Sequence, residues 1–268
     1  MTTKGEGQMF KRVSFLSFIF VFAVYTLLAG NAKAQQIVTK GLVSYWTLDK
    51  DTVSGNTVKD IIGKNNGKIN GSPKVVAGKV KEGMEFDGVG DFLDCGTDDS
   101  LDLTKALTIE TWIKPKEAGE GGAKNAGPLC KAQNAWGWQL RYNSPDSNFM
   151  GFQFNAGGSK WISVGQKLNP GEWYHIVGTY DGSDVKCYLN GAEKNKMSMP
   201  NINSSPDPFF IAQDGWVNIF NGVIDEAKIY NRALTKDEIT QNYNSRSQLA
   251  VESDGKLTIT WGKAKIQE

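Results

Sequence analysis

Four aspartates and a set of aromatic side chains are the residues of this chain whose placement could do chemistry. Asp49, Asp87, Asp91 and Asp225 fall at expected strand ends or turns, Asp87 and Asp91 each beside a glycine. Oxygen-rich positions of this kind suit a hard cation such as calcium, which takes carboxylate and carbonyl oxygens in a flexible geometry. Asp225 poses the sharpest question. In Val223–Tyr230 (VIDEAKIY), strict alternation sets Val223, Asp225, Ala227 and Ile229 on one face and Ile224, Glu226, Lys228 and Tyr230 on the other. A carboxylate among Val and Ile is costly to bury alone. It needs an ion, the guanidinium of Arg232, or the amides of a turn.

Catalysis was weighed on the same residues. Hydrolysis of a glycosidic bond uses two carboxyl groups held close together. Glu85-Phe86-Asp87 comes nearest to such a set, but a second acid is missing. Asp225 and Glu226 are expected on opposite faces of one strand, where they could not work on one bond. His175, the single histidine, shares a strand face with Trp173, Val177 and Thr179 and reads as a core residue rather than a base for a nucleophile. No enzyme emerges.

Sugar binding fits the aromatic set better, because sugars stack apolar C–H faces on rings while polar side chains bond their hydroxyls. Trp136, Trp138, Arg141, Tyr142, Gln153, Asn155, Trp161 and Trp216 supply such groups. Trp136 and Trp138 share one strand face, a spacing that core packing would equally produce. Trp216 follows Asp214-Gly215 and is expected in a loop.

The elements that must position these residues are mostly strands. Short runs rich in β-branched and aromatic residues recur at Leu42–Leu48, Gly83–Phe86, Phe92–Cys95, Leu107–Lys114, Trp136–Tyr142, Phe149–Asn155 and Trp161–Val164. They continue at Trp173–Tyr180, Val185–Leu189, Phe209–Ala212 and Val223–Tyr230. Asn190-Gly191 is a strong hairpin signal. One helix is expected, opened by Thr235 with Glu238 three residues on, the reciprocal arrangement that satisfies free amides at a helix start. The predicted fold is all-β: a two-sheet antiparallel jelly-roll sandwich with one short C-terminal helix.

Five blocks in order, Gly41–Asp49 (GLVSYWTLD), Met84–Gly96 (MEFDGVGDFLDCG), Leu107–Pro115 (LTIETWIKP), the strand after Trp173 and the FNGVIDEAKIYNRALTKDEI run from Phe220, resemble LamG-like jelly-roll domains of the concanavalin A-like lectin/glucanase superfamily. The resemblance covers residues 41–245. It implies a structural calcium held by Asp49, the Gly88 carbonyl and Asp225. It also implies a carbohydrate-binding face, for which Trp138, Trp161 and Trp216 are the candidates, and a polysaccharide or glycoprotein as partner. Fold alone does not assign function, since binding modules and enzymes share this one.

Residues 1–34 read as an export signal: Lys4, Lys11 and Arg12 precede the apolar run Val13–Leu28, and Ala32-Lys33-Ala34 fits a cleavage site. The other reading of that run is a retained membrane anchor. Asn31 stands where lipid attachment would need a cysteine. An exported chain would be secreted, periplasmic or at the cell surface, with no membrane insertion once the signal is removed. Loss of Lys4, Lys11, Arg12, Lys33 and Glu6 changes 30 basic and 29 acidic residues to 26 and 28. So balanced a chain has no basic field for nucleic acid. Cys95, Cys130 and Cys187 allow at most one disulfide among themselves, and their spacing with one histidine disfavours zinc. Residues 246–268 form a tail in which Lys256–Trp261 (KLTITW) is expected to add a strand, either on the sandwich edge or free of it. The function expected is an exported, non-catalytic recognition module, with a protein-adhesion module as the alternative and a hydrolase with acids from separate loops as the third.

Overall fold

The computed structural model describes residues 36–116, 126–131, 137–142, 149–199, 201–214, 218–245, 250–251 and 257–258. Residues 1–34, expected to be an export signal, lie outside the described residues, as do Trp136 and Trp216. Strands β1 (Leu42–Trp46), β2 (Val53–Ser54), β3 (Thr57–Val58), β4 (Gly67–Asn70), β5 (Lys74–Ala77) and β6 (Glu82–Asp87) come first. They are followed by β7 (Phe92–Asp94), β8 (Leu107–Pro115), β9 (Leu129–Lys131), β10 (Trp138–Tyr142), β11 (Phe149–Asn155) and β12 (Ser159–Lys167). Then come β13 (Tyr174–Tyr180), β14 (Asp184–Leu189), β15 (Ala192–Ser198), β16 (Phe210–Ile211), β17 (Asn221–Tyr230) and helix α1 (Lys236–Asn244).

Two antiparallel sheets result. The first runs β15-β14-β13-β8-β17-β6-β5, with β1 also paired to β17; the second runs β12-β11-β10-β9-β16-β7-β4-β3-β2. Their inner faces bury Trp46, Phe86, Leu93, Ile109, Trp138, Phe152, Phe154, Ile176 and Ile224 in one core. This is the expected jelly-roll sandwich. Asn190 and Gly191 both take positive φ, 52° and 77°, as the tight turn between β14 and β15 requires. The sandwich strands absent from the sequence reading are β2, β3, β4, β5, β9 and β15. β15 (AEKNKMS) is exposed along nearly its whole length, so no alternation of apolar and polar residues marks it. In the tail, β18 (Ala250–Val251) pairs with β19 (Leu257–Thr258) as a separate two-stranded sheet, not with the sandwich edge. Among the described residues no helix is long and apolar enough to cross a membrane.

Helix α1 covers the outer face of the first sheet. Its Ile239 packs with Leu234 and Val38 against Val177, Tyr188 and Tyr230. The capping box forms as expected: the Glu238 amide donates to Thr235 Oγ1 and the Thr235 amide to Glu238 Oε2. Arg232 grips the same glutamate through both Nη atoms at 2.7 and 2.8 Å. Thr235→Ala is expected to cost about 1 kcal/mol of stability, read as a lower urea midpoint at constant m-value.

Candidate functional site

Asp225 is the residue the sequence marked most strongly, and its surroundings differ from the expected ones in one important way. The register of β17 on β8 shifts between Asp225, opposite Trp112, and Lys228, opposite Glu110. Glu226 sits in that bulge at a φ of 56°. One inserted residue reverses the alternation. Phe220 and Ile224 face the core before it, Ala227 and Ile229 after it. Asp225, Glu226 and Lys228 therefore share the outer face, where strict alternation had separated Asp225 from the other two.

Both carboxylates are sealed. Asp225 is fully buried and accepts the Lys79 and Val80 amides on Oδ2, at 2.8 and 2.9 Å. These belong to the turn joining β5 to β6, closed by Gly78 N–H to Lys81 O. Of the partners expected, the turn amides are the ones found, while Arg232 is engaged with Glu238. Asp49, buried after β1, accepts the Glu82 amide of the same turn at 3.1 Å. Gly78 is needed for this packing, since a Cβ there would lie 2.7 Å from Asp225 Oδ2. The structure thus brings Asp49 and Asp225 to one turn. Gly88 it does not bring: Asp87 pairs with Asn221 and Met84 with Ile224, so Gly88 lies beyond the far end of β6, against Asn221. Asp87 and Asp91 serve as turn acceptors, Asp87 for the Val89, Gly90 and Asp91 amides and Asp91 for Ser72.

The second oxygen of Asp225, Oδ1, is buried and has no hydrogen-bond partner among the described residues. Burial, followed by the negative charge of Glu226, pushes this carboxyl up to about 8 despite the two turn amides. An orphaned buried oxygen in a site holding a second carboxylate fits a hard cation. Both acids touch backbone amides of the 78–82 turn, Asp225 those of Lys79 and Val80 and Asp49 that of Glu82, and neither touches Gly88.

Beneath α1 lies a buried charged network. Lys228 Nζ stands 3.2 Å from Glu226 Oε2 and 3.4 Å from Glu110 Oε1, and Tyr45 donates its hydroxyl to Glu226. Glu110 also lies 3.3 Å from His175 Nε2 and accepts from Asn242 Nδ2 at 2.7 Å. His175 is thus a wholly buried residue, as expected. Burial alone would raise the Glu110 carboxyl, but Lys228, His175 and Asn242 bring it down to about 2. The same acids raise the Lys228 ammonium against its own burial. Asp225 and Glu226 do share a face, yet neither is open to a substrate.

The other outer face, that of the second sheet, carries Trp161. Along β11 and β12, Met150, Phe152, Phe154, Ile162 and Val164 point inward. Gly151, Gln153, Trp161 and Ser163 therefore point out. The Trp161 ring lies across Gly151, where a Cβ would come within 2.7 Å of it, and remains partly exposed. Beside it Gln139 Nε2 donates to Gln153 Oε1 at 3.1 Å, and Gln153 in turn donates to Ser159. A ring next to a ladder of amides and hydroxyls can stack and hydrogen-bond a sugar at once.

Trp138 is a correction. It is 1% exposed and packs on Phe209, ring centroids 5.8 Å apart, because the alternation of β10 turns Trp138 and Leu140 inward and Gln139 and Arg141 outward. It has no face to offer a ligand. Trp216 falls outside the described residues. The structure holds no disulfide among the described residues: Cys130 Sγ donates to Gln139 and Cys187 Sγ to the Ser163 carbonyl, and burial pushes the Cys187 thiol up to about 12. What the sequence could not reveal is the turn at 78–82, whose role depends on strands far apart in the chain; its one signal was Gly78.

A two-sheet antiparallel jelly roll with one capped helix defines an all-β sandwich of the lectin and glucanase type. The family model described as the concanavalin A-like lectin/glucanases superfamily matches residues 87–240, and the chain belongs to that superfamily. No curated protein matches it in sequence. Among solved structures it is similar to domain 4 of AbnA, a GH43 extracellular arabinanase from Geobacillus stearothermophilus, in complex with arabinotriose: TM-score 0.59, 20% identity, 75% of this chain and 98% of that one covered. A structure of botulinum neurotoxin type C, whose cell entry depends on two ganglioside molecules, gives 0.58 at 15% identity over 79% of this chain and 53% of that one. Trypanosoma rangeli sialidase with the inhibitor DANA gives 0.58 at 15% identity, over 89% of this chain and 39% of that one. The chain thus spans about half the toxin structure and less than half of the sialidase. At these identities the likeness is one of fold.

Proposed function

We propose that this chain is an exported, non-catalytic glycan-recognition module, stabilised by a divalent cation at Asp49, Asp225 and the 78–82 turn. The observation that carries the reading is the Trp161 ring, packed against Gly151 beside the Gln153–Gln139 amides on a partly open sheet face. It is supported by the fold's likeness to an arabinanase domain in complex with arabinotriose and to a toxin whose cell entry depends on two ganglioside molecules. Catalysis is disfavoured because the acids that share a face, Asp225 and Glu226, are buried and engaged. The cation would carry no reaction step; when bound it neutralises two buried carboxylates and ties the strands they come from.

The test is retention on immobilised arabinan, xylan, pectin and a mucin-type glycoprotein. Binding to at least one is expected, with Trp161→Ala losing roughly tenfold or more, the ~1.4 kcal/mol scale of a lost ring contact, at unchanged melting temperature. Retention by none, or equal retention by the folded variant, would return the protein-adhesion reading to first place. Release of reducing sugar from a retained polymer would overturn the non-catalytic assignment.

A further inference from the structure

The row of residues that crosses the second sheet through Trp161 ends in a cleft that the glycan reading has not used. Cross-strand pairing runs Trp161–Gln153–Gln139–Cys130–Phe210–Asp94–Lys68 without a break in register, over β12, β11, β10, β9, β16, β7 and β4. Leu93 and Ile211 point to the core, so Phe92, Asp94 and Phe210 face outward with Trp161. Six strand spacings of about 4.8 Å put the two ends roughly 29 Å apart. The row is closed in the middle, where Cys130 and Gln139 are buried, and accessible at both ends.

At the far end an open cleft of about 380 Å³ is lined by Lys64, Asn66, Lys68, Asp94, Thr97 and Asp98 among others. Beside it Phe92 and Phe210, both partly exposed, meet edge to face with centroids 5.8 Å apart. Lys68 enters no salt bridge among the described residues, whereas Lys64 bonds Asp98 at 2.8 Å. A partly open aromatic pair next to a cleft of mixed donors and acceptors has the make-up of a sugar site. The lining pairs two lysines with two aspartates. With charges balanced, the lining offers acceptors and donors to hydroxyls but no net positive charge to draw a carboxylate.

We propose that this cleft is a second saccharide subsite for a neutral sugar, so that one polysaccharide chain touches the sheet at the Lys68/Asp94 cleft, beside the Phe92/Phe210 pair, and again at Trp161. This rests on the glycan-binding reading and extends it from a single contact to a polymer. Isotope-labelled protein titrated with arabinotriose, cellotriose and trigalacturonate tests it, with backbone amide resonances as the readout. At least one neutral trisaccharide is expected to shift Lys68, Gly96 and Thr97, and Lys68→Ala, a change at an exposed side chain, is expected to remove most of that shift. Shifts confined to Gln153 and Trp161 would overturn the second subsite and leave the first standing. No shift at either region would overturn both. A cleft response to trigalacturonate equal to or larger than that to the neutral sugars would overturn the neutral assignment.

Discussion

Lys228→Met is expected to remove about 3–5 kcal/mol of folding stability, the cost of leaving buried acids without their cation. Methionine keeps most of the side-chain volume, so the loss would report charge rather than a cavity. Lys228 is 2% exposed and stands between Glu226 and Glu110, with its ammonium 4.8 Å from the Tyr45 ring centroid. Without it two carboxylates remain in a desolvated space under α1. Against a domain stability of roughly 5–15 kcal/mol, such a loss is large. Urea unfolding measures it, and the double variant Lys228→Met/Glu226→Gln should recover part of it. Strict additivity of the two single changes would dissolve the idea of a coupled network.

The same network sets a pH dependence. Glu110 has its carboxyl lowered from an ordinary 4.5 to about 2. A group lowered on folding contributes stability that is complete above its unfolded value and lost as pH falls through the folded one. The wild-type protein should therefore lose this contribution between about 4.5 and 2. In Lys228→Met the acid limb should move to higher pH, because the charge that holds Glu110 ionised is gone. An unmoved limb would count against the assignment.

Calcium is expected to raise the melting temperature of chelator-treated protein by roughly 5–10 °C. At a hundredfold excess over Kd, binding to the folded state alone is worth about 2.7 kcal/mol. For a domain of this size each kcal/mol corresponds to about 2–4 °C. Asp225→Asn should abolish the increment while keeping an acceptor for the Lys79 and Val80 amides. Gly88→Asn is expected to lower the starting melting temperature, since its Cβ would lie 2.8 Å from Asn221 Cβ, but to retain the increment, because Gly88 lies at the other end of β6 from Asp225. The reverse pattern, with Gly88 essential and Asp225 dispensable, would remove the ion from the 78–82 turn.

Much of this was legible in the sequence. Period-two alternation in β8, β11, β13 and β14 gave the strands and the core face, because one side of each faces oil and the other a different environment. The Asn190-Gly191 turn and the Thr235/Glu238 capping box are local chemistry, complete within a few residues. Trp138 and Trp161 could not be told apart as core and surface rings, because a ring's place on a strand gives the face it shares and not what covers that face.

The sequence by itself thus determined the all-β class, the faces of the unbroken strands, the helix start and the acids that require a partner. Only the tertiary structure decided what those acids meet. A single positive-φ residue, Glu226, reverses the alternation of β17 and carries Asp225 to the same face as Glu226 and Lys228. Whether such a bulge forms depends on the register that β6, β8 and β1 impose on β17. Their residues lie more than a hundred positions away, beyond the reach of any local pattern.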